Sequence, residues 1–184
     1  MLTITVPSRE SFDESTNKFI KTDETVLELE HSLVSLSKWE SEHEKPFLSD
    51  KPKSDIETLS YVKAMTLTPN VPPEVYMSLS RENIDQINTY ISAKRSATWF
   101  SEKKARPGPS AIVTAELIYY WMIALTIPFE CQSWHLNRLM TLIKVCNEKN
   151  AASDTKKNKP MTKDSLAQRK ALNEQRKKQL QSRG

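Results

Sequence analysis

The stretch IYYWMIALTIPFECQSWHLNRLMTLIKVC, Ile118 to Cys146, is apolar along most of its length. It contains one proline, Pro128, a residue that a helix accepts in its first turn but not in its interior. We therefore predict one helix over 111–125 and a second that starts at Pro128 and continues to about residue 147. The first helix is apolar on nearly every side, so it must lie centrally in its own domain or be covered by a partner.

This apolar stretch does not predict a membrane span. The run without a charged residue, Leu117 to Phe129, lies between Glu116 and Glu130 and covers 13 residues, whereas a bilayer span needs about 20. The chain opens MLTITVPSRESFDEST, without a basic segment followed by an apolar run. We therefore expect no membrane partner and a cytoplasmic location.

Cys131 and His135 stand four residues apart, a spacing that places two metal ligands on one side of a helix. A structural zinc site needs four ligands, and the remaining cysteine and histidines show no paired spacing. A buried free thiol and a hydrogen-bonded histidine are therefore favoured over a metal site. The other cysteine, Cys146, is expected to be free as well.

Glycine is scarce, because the chain contains only Gly108 and Gly184. Phosphate-binding loops and nucleophile elbows are built on glycine, so nucleotide-binding and hydrolase classes are disfavoured. Cys131 beside His135 lacks an orienting carboxylate other than Glu130, which disfavours a thiolate nucleophile. We expect no enzymatic activity and no cofactor.

In the part of the chain before the apolar stretch, the spacing of apolar residues changes from every second residue, typical of strands, to about every three and a half residues, typical of helices. LTITV and ETVLELE alternate and predict two strands that form a hairpin within residues 1–31. Residues 32–100 predict four amphipathic helices. The first covers 33–44 and is capped by Ser32, and the second begins at the Ser54–Glu57 capping box and carries Ile56, Leu59 and Val62 on its apolar face. A short third helix starts at Pro73, and the fourth is capped by Ser80 and carries Ile84, Ile87 and Ile91 in one stripe. Residues 101–110 predict a loop, with Ser110 capping the apolar pair of helices over 110–147.

Basic and acidic residues are distributed unevenly along the chain. Residues 148–184 hold 11 Lys/Arg against 4 Asp/Glu, and residues 1–147 hold 16 against 19. The tail lacks apolar bulk, which predicts disorder over 148–161, while 162–181 is rich in helix formers and predicts a latent helix. The predicted fold is mainly α, with a small N-terminal β-hairpin in a compact helical domain over 1–147 and a basic, largely disordered tail over 148–184.

Three phrases of the chain, YYWMIALTIPFECQSWHLNRLMTLIKVCN, LELEHSLVSLSKWES and RKALNEQRKKQLQSRG, resemble tail assembly chaperones of long-tailed bacteriophages. The resemblance implies a non-enzymatic protein of the host cytoplasm that binds the tape-measure protein and keeps it soluble before the tail tube polymerises. It implies an apolar groove for a client helix and a basic arm that strengthens the contact. The residues assigned to the groove are Trp121, Met122, Leu125, Trp134, Leu136 and Met140, and those assigned to the arm are Lys170, Arg176, Lys177 and Lys178.

Two other functions are left open at this point. The chain is alternatively a structural virion component of the tail or connector, or a nonspecific nucleic-acid-binding accessory protein that uses the basic tail. Other tail proteins, a second copy of the chain and nucleic acid therefore stand beside the tape-measure protein as candidate partners.

Overall fold

The computed structural model describes residues 1–13, 17–100, 112–157 and 163–181. Within these residues it confirms the predicted fold class, mainly α-helical with a small antiparallel β-structure at the N-terminus. The strands are β1 (Leu2–Val6), β2 (Arg9–Asp13), β3 (Lys18–Thr22) and β4 (Thr25–Leu29). The helices are α1 (Leu33–His43), α2 (Asp55–Met65), α3 (Pro73–Met77), α4 (Arg81–Ser92), α5 (Ala115–Ala124), α6 (Leu136–Lys157) and α7 (Lys163–Gln181), with a 3₁₀ turn at Phe129–Ser133. The chain divides into two compact units, Met1–Val145 and Cys146–Gly184.

The four strands follow one antiparallel ribbon. β1 pairs with β4 and β2 pairs with β3, and both pairs keep the same register, since Val6 lies opposite Thr25 and Arg9 lies opposite Thr22. The ladder is interrupted at Pro7, which has no N–H to donate. The predicted pairing of the first and last strands is confirmed, and β2 and β3 extend the same ribbon.

One face of the ribbon lies on the helices and supplies a third of the buried residues of a hydrophobic core. Ile4, Val6, Leu27 and Leu29 are buried, whereas the intervening Glu28 is exposed. This alternation follows from the two-residue period of a strand. The helical side of the same core consists of Trp39, Tyr61, Val62, Met65, Val75, Tyr76, Ile87 and Tyr90.

Serine side chains begin three helices, as the sequence predicts. Ser32, Ser54 and Ser80 each accept a hydrogen bond from the backbone N–H three residues further on, and each completes a capping box. At the start of α2 the reciprocal partner is Glu57, which also pairs with Lys45 at 2.7 Å. The Lys45 ammonium and the Ser54 N–H lower the pKa of Glu57 to about 2.

We expect Ser54→Ala to lower the free energy of unfolding by about 1 kcal/mol, because the Glu57 N–H loses its cap acceptor. Urea denaturation followed by circular dichroism measures the change. Ser41→Ala, an exposed position inside α1, is the matched control and should shift stability by less than about 0.5 kcal/mol. Equal effects of the two substitutions would contradict a stabilising role of the cap.

The predicted apolar faces of α2 and α4 are correct only in part. Ile56 was assigned to the core but is 78% exposed, and the buried residues of α2 are Tyr61, Val62 and Met65. The helical period alone does not decide which stripe is buried. α2 packs on α1, and the stripe that carries Tyr61 faces the core, where the Tyr61 ring stacks on Phe47. On α4, Ile87 is buried as predicted, together with Asn83 and Tyr90.

The apolar pair of helices starts later than predicted. α5 begins at Ala115 rather than 111, since the Thr114 hydroxyl accepts the Leu117 N–H at 3.4 Å; Ser110 and the predicted loop over 101–110 lie outside the described residues. α6 begins at Leu136 rather than Pro128, because the Leu136 N–H donates to the His31 carbonyl at 2.7 Å. A tertiary backbone contact therefore sets this helix start.

α6 also ends later than predicted, at Lys157 rather than near residue 147. Disorder was expected over 148–161, yet residues 148–157 are helical, in keeping with the high helix propensity of Ala151, Ala152 and the lysines. Residues 158–161 lie outside the described residues. The latent helix expected over 162–181 is present as α7, whose residues 169–178 are all exposed.

Candidate functional site

Helix α5 is held on α1 by three fully buried side chains. Ala115, Ile118 and Met122 recur at steps of three and four residues and form one stripe of the helix. Ile127, just after the helix, is also buried, and its N–H donates to the Met122 carbonyl at 2.8 Å. The stripe fixes the rotation of α5 about its own axis and thereby decides which side chains face outward.

A buried carboxylate ties the start of α5 to α1. Glu40 is 7% exposed; its Oε2 accepts the Ala115 N–H at 2.7 Å, and its Oε1 accepts the Phe47 N–H at 2.7 Å. A negative group at a helix N-terminus also interacts favourably with the helix dipole. Glu40 therefore joins α1, the segment that follows it, and the first turn of α5.

The outward side of α5 is apolar. Tyr120 and Ile123 are each 62% exposed, and Phe129 in the following 3₁₀ turn is 53% exposed. The half-buried Tyr119 connects them, because its ring lies 6.4 Å from that of Phe129 and it is four residues from Ile123 on the helix. We call Tyr119, Tyr120, Ile123 and Phe129 the α5 apolar surface.

The α5 apolar surface is anchored at one end and bordered by acidic side chains. The Tyr119 hydroxyl donates to Gln132 Oε1 at 2.9 Å, which holds the ring against the 3₁₀ turn. Burial raises the pKa of the Tyr119 hydroxyl. Glu116 and Glu130, both exposed, lie on the same two elements. The arrangement suits an apolar helix stripe whose flanks are basic.

The residues predicted for the groove lie mostly elsewhere. Met122 is fully buried and Leu136 is 2% exposed. The prediction is wrong for these two residues, because both belong to the core and are not accessible to a partner. The other four predicted residues, Trp121, Leu125, Trp134 and Met140, are half-buried. In the second unit, the predicted Lys170, Arg176, Lys177 and Lys178 are all exposed on α7.

Sequence reasoning missed the four residues of the α5 apolar surface. Every position of α5 except Glu116 is apolar or aromatic, so the helical period carries no contrast from which to choose a face. The Ala115–Ile118–Met122 spacing is the signal that could have identified them, since a small residue at Ala115 permits close approach to α1. Once that stripe is assigned to the core, the residues on the other side of α5 are expected to face outward.

A cleft of about 460 Å³ lies beside α1 and the start of α2. Its walls include Pro46, Pro52 and Ile112, and three lysines stand around it: Lys45, Lys51 and Lys53. Two of these lysines have partners, because Lys45 pairs with Glu57 and Lys53 lies 4.3 Å from the centre of the Phe47 ring.

A buried polar cluster occupies the junction of the ribbon, α2, α4 and α6. The rings of His31 and His135 lie 5.1 Å apart, His31 Nδ1 is 2.6 Å from the Tyr61 hydroxyl, and the Tyr90 hydroxyl donates to Glu30 at 2.6 Å. Burial and the neighbouring His135 lower the pKa of His31 to about 4. Both His31 and His135 are less than 10% exposed.

His135 and Cys131 have structural roles that the sequence predicted. His135 Nε2 lies 3.0 Å from the Tyr90 carbonyl, which can only accept, so this nitrogen carries the proton. Burial lowers the pKa of His135. Cys131 is a buried free thiol and Cys146 is free as well. Among the described residues, no three His, Cys, Asp or Glu side chains are grouped as metal ligands.

No helix within the described part of the chain combines the length and the apolar character needed to cross a membrane. Comparison of the chain with protein-family models, with curated proteins and with solved structures gave no match.

Proposed function

We propose that the protein binds an amphipathic helix of a partner protein through the α5 apolar surface and performs no catalysis. The observation that carries the proposal is the exposure of Tyr120, Ile123 and Phe129 on a helix and turn that are anchored in the core by the buried Ala115, Ile118, Met122 and Cys131. An aromatic side chain carries about 150–250 Å² of surface, so Tyr120 and Phe129 alone present roughly 100 Å² each to solvent. Apolar patches of a few hundred Å² mark interaction sites on soluble proteins.

The chemistry of the surface specifies the kind of partner. Its residues recur along one side of α5, which suits anchors spaced three, four and seven residues apart on a partner helix. Glu116 and Glu130 border the surface and favour lysine or arginine beside those anchors. The occupant is therefore an amphipathic helix with an apolar stripe and basic flanks.

The resemblance to tail assembly chaperones supplies the identity of the partner within this proposal. The protein is a tail assembly chaperone of a long-tailed bacteriophage, acts in the host cytoplasm, and keeps the long helical tape-measure protein soluble until the tail tube forms. Covering apolar stripes of a client that has not yet found its final partners is the task that the α5 apolar surface supports.

Co-expression with the tape-measure protein of the same genome tests the proposal. We expect the client to be soluble with the wild-type chain and to be insoluble with Ile123→Asp, because the charge is placed in the middle of the apolar contact. The variant itself should fold, since Ile123 is mostly exposed.

Ile56→Asp is the matched control, because Ile56 is also an exposed isoleucine on a helix but lies on α2. It should leave client solubility unchanged. A client that stays insoluble with the wild-type chain, or one that is rescued equally by both variants, would refute the proposed binding mode. The virion-component alternative predicts the chain in purified particles at a fixed copy number, whereas a chaperone is absent from them.

A further inference from the structure

A second exposed surface of the first unit is formed by the segment after α4 and the start of α6. The side-chain amide of Asn137 donates to the Ile91 and Ala93 carbonyls, each at 2.9 Å. Further along, Lys144 Nζ lies 5.9 Å from the centre of the Phe100 ring. The segment 91–100 therefore runs beside α6 from Asn137 to Lys144, a distance of about 10 Å at 1.5 Å per residue.

The charged side chains of the two segments that form this surface are all positive, although Asp85 of α4 lines the same cleft as Arg95 and Glu30 accepts the hydrogen bond of the Tyr90 hydroxyl. Lys94, Arg95, Arg138 and Lys144 are all exposed. Residues 90–100 and 134–145 contain no aspartate or glutamate, although residues 1–147 as a whole hold 19 acidic against 16 basic residues. Four cations thus lie on two adjacent segments of a region whose net charge is negative, so positive charge predominates on these segments.

Each of the four cations lies over an aromatic ring. Lys94 Nζ is 3.3 Å from the centre of the Trp99 ring, and the Arg95 guanidinium is 4.8 Å from that of Tyr90. The Arg138 guanidinium is 4.0 Å from the centre of the Trp134 ring. Such contacts are worth about 0.5–1 kcal/mol each at exposed sites.

Among the large hydrophobic side chains of the described residues, Trp99 is the most exposed, at 80%. Its contact with Lys94 holds the ring in place while most of its surface faces water. A large aromatic ring held in this way beside cations is a stacking platform for a planar group that carries negative charge nearby.

We propose that this surface, formed by Lys94, Arg95, Trp99, Phe100, Arg138 and Lys144, binds single-stranded nucleic acid. The cations contact phosphates, and Trp99 stacks on an unpaired base. A single strand is favoured over a duplex because duplex bases are already stacked on one another and do not present their faces to Trp99. It is favoured over an acidic peptide because carboxylates would engage the cations and leave the exposed ring without a partner. This function is separate from client binding, because it uses neither the α5 apolar surface nor α7.

Fluorescence anisotropy of a labelled single-stranded 20-mer with the full chain tests the proposal. Binding should weaken as salt rises, because phosphate contacts release counterions. Trp99→Ala should weaken binding by about 5- to 140-fold, the effect of losing one stacked base. Arg138→Gln should weaken it uniformly across sequences and reduce the salt slope by about one contact.

Controls separate this surface from other binding sources. Tyr120→Ala removes an exposed aromatic ring elsewhere and Lys63→Gln removes an exposed lysine on α2, and neither should change binding. A variant with glutamine at Lys170, Arg176, Lys177 and Lys178 measures the contribution of α7, and in its background the Trp99→Ala effect should persist.

Three results would overturn the proposal. One is the absence of oligonucleotide binding at low salt. Another is binding that Trp99→Ala and Arg138→Gln leave unchanged, including binding that disappears only with the α7 variant. The third is a different ligand preference: equal affinity for a duplex and a single strand, or binding to phosphatidylserine vesicles without binding to the oligonucleotide. Because the client-solubility experiment uses different variants, failure of one proposal leaves the other intact.

Discussion

Replacement of Glu40 by alanine should lower the free energy of unfolding by roughly 4 kcal/mol. The carboxylate accepts the Phe47 and Ala115 backbone N–H groups, each at 2.7 Å, in a buried setting. Each buried N–H left without an acceptor costs about 1–3 kcal/mol, and the truncation leaves two. A domain of this size has only about 5–15 kcal/mol of stability in total, so Glu40→Ala should reach a large fraction of it.

Urea denaturation followed by tryptophan fluorescence measures the effect. Glu40→Gln retains one carbonyl oxygen, so it can satisfy only one of the two N–H groups and should lose about half as much. Glu42→Ala, an exposed glutamate on the same helix, should change stability by less than about 0.5 kcal/mol. A loss below about 1 kcal/mol for Glu40→Ala would show that the two N–H groups find other acceptors and that α5 does not depend on this carboxylate.

Stability should rise between about pH 4 and pH 6.5 because of the buried His31. Burial and the nearby His135 lower its pKa to about 4 in the folded state, while Glu30 opposes the shift. Between these pH values the unfolded chain binds a proton that the folded chain does not, so acid favours unfolding. The contribution is fully present above pH 6.5 and is lost as the pH falls to about 4. The lowered pKa of His31 corresponds to roughly 3 kcal/mol, and His135, whose pKa is also lowered, acts in the same direction.

Urea midpoints collected across this pH range should therefore fall steeply on acidification for the wild-type chain. His31→Gln removes the titrating ring and should flatten the dependence, even if it lowers stability at neutral pH through the loss of the Tyr61 contact at 2.6 Å. His43→Gln removes a histidine outside the cluster, so the slope contributed by His31 should persist. An unchanged slope in His31→Gln would assign the acid sensitivity to other groups.

Helix starts governed by local hydrogen bonds could be predicted from the sequence. Ser32, Ser54 and Ser80 were each identified correctly, because a cap joins residues only three positions apart. The alternation of LTITV likewise predicted β1 and its buried Ile4 and Val6. The start of α6 was missed, because its local cap is a histidine, whose Nδ1 accepts the Asn137 N–H at 3.3 Å, and because the Leu136 N–H donates to His31, more than a hundred residues away in the chain.

The candidate binding surface depended on tertiary structure for a different reason. The sequence was enough to show that α5 is apolar on nearly all sides and in need of cover. It could not separate the buried Met122 from the exposed Ile123, because adjacent apolar residues on such a helix have the same chemistry. The choice was made by α1, through the Glu40 carboxylate and the packing of Ala115 and Ile118, since rigid packing of one stripe leaves the opposite stripe in water.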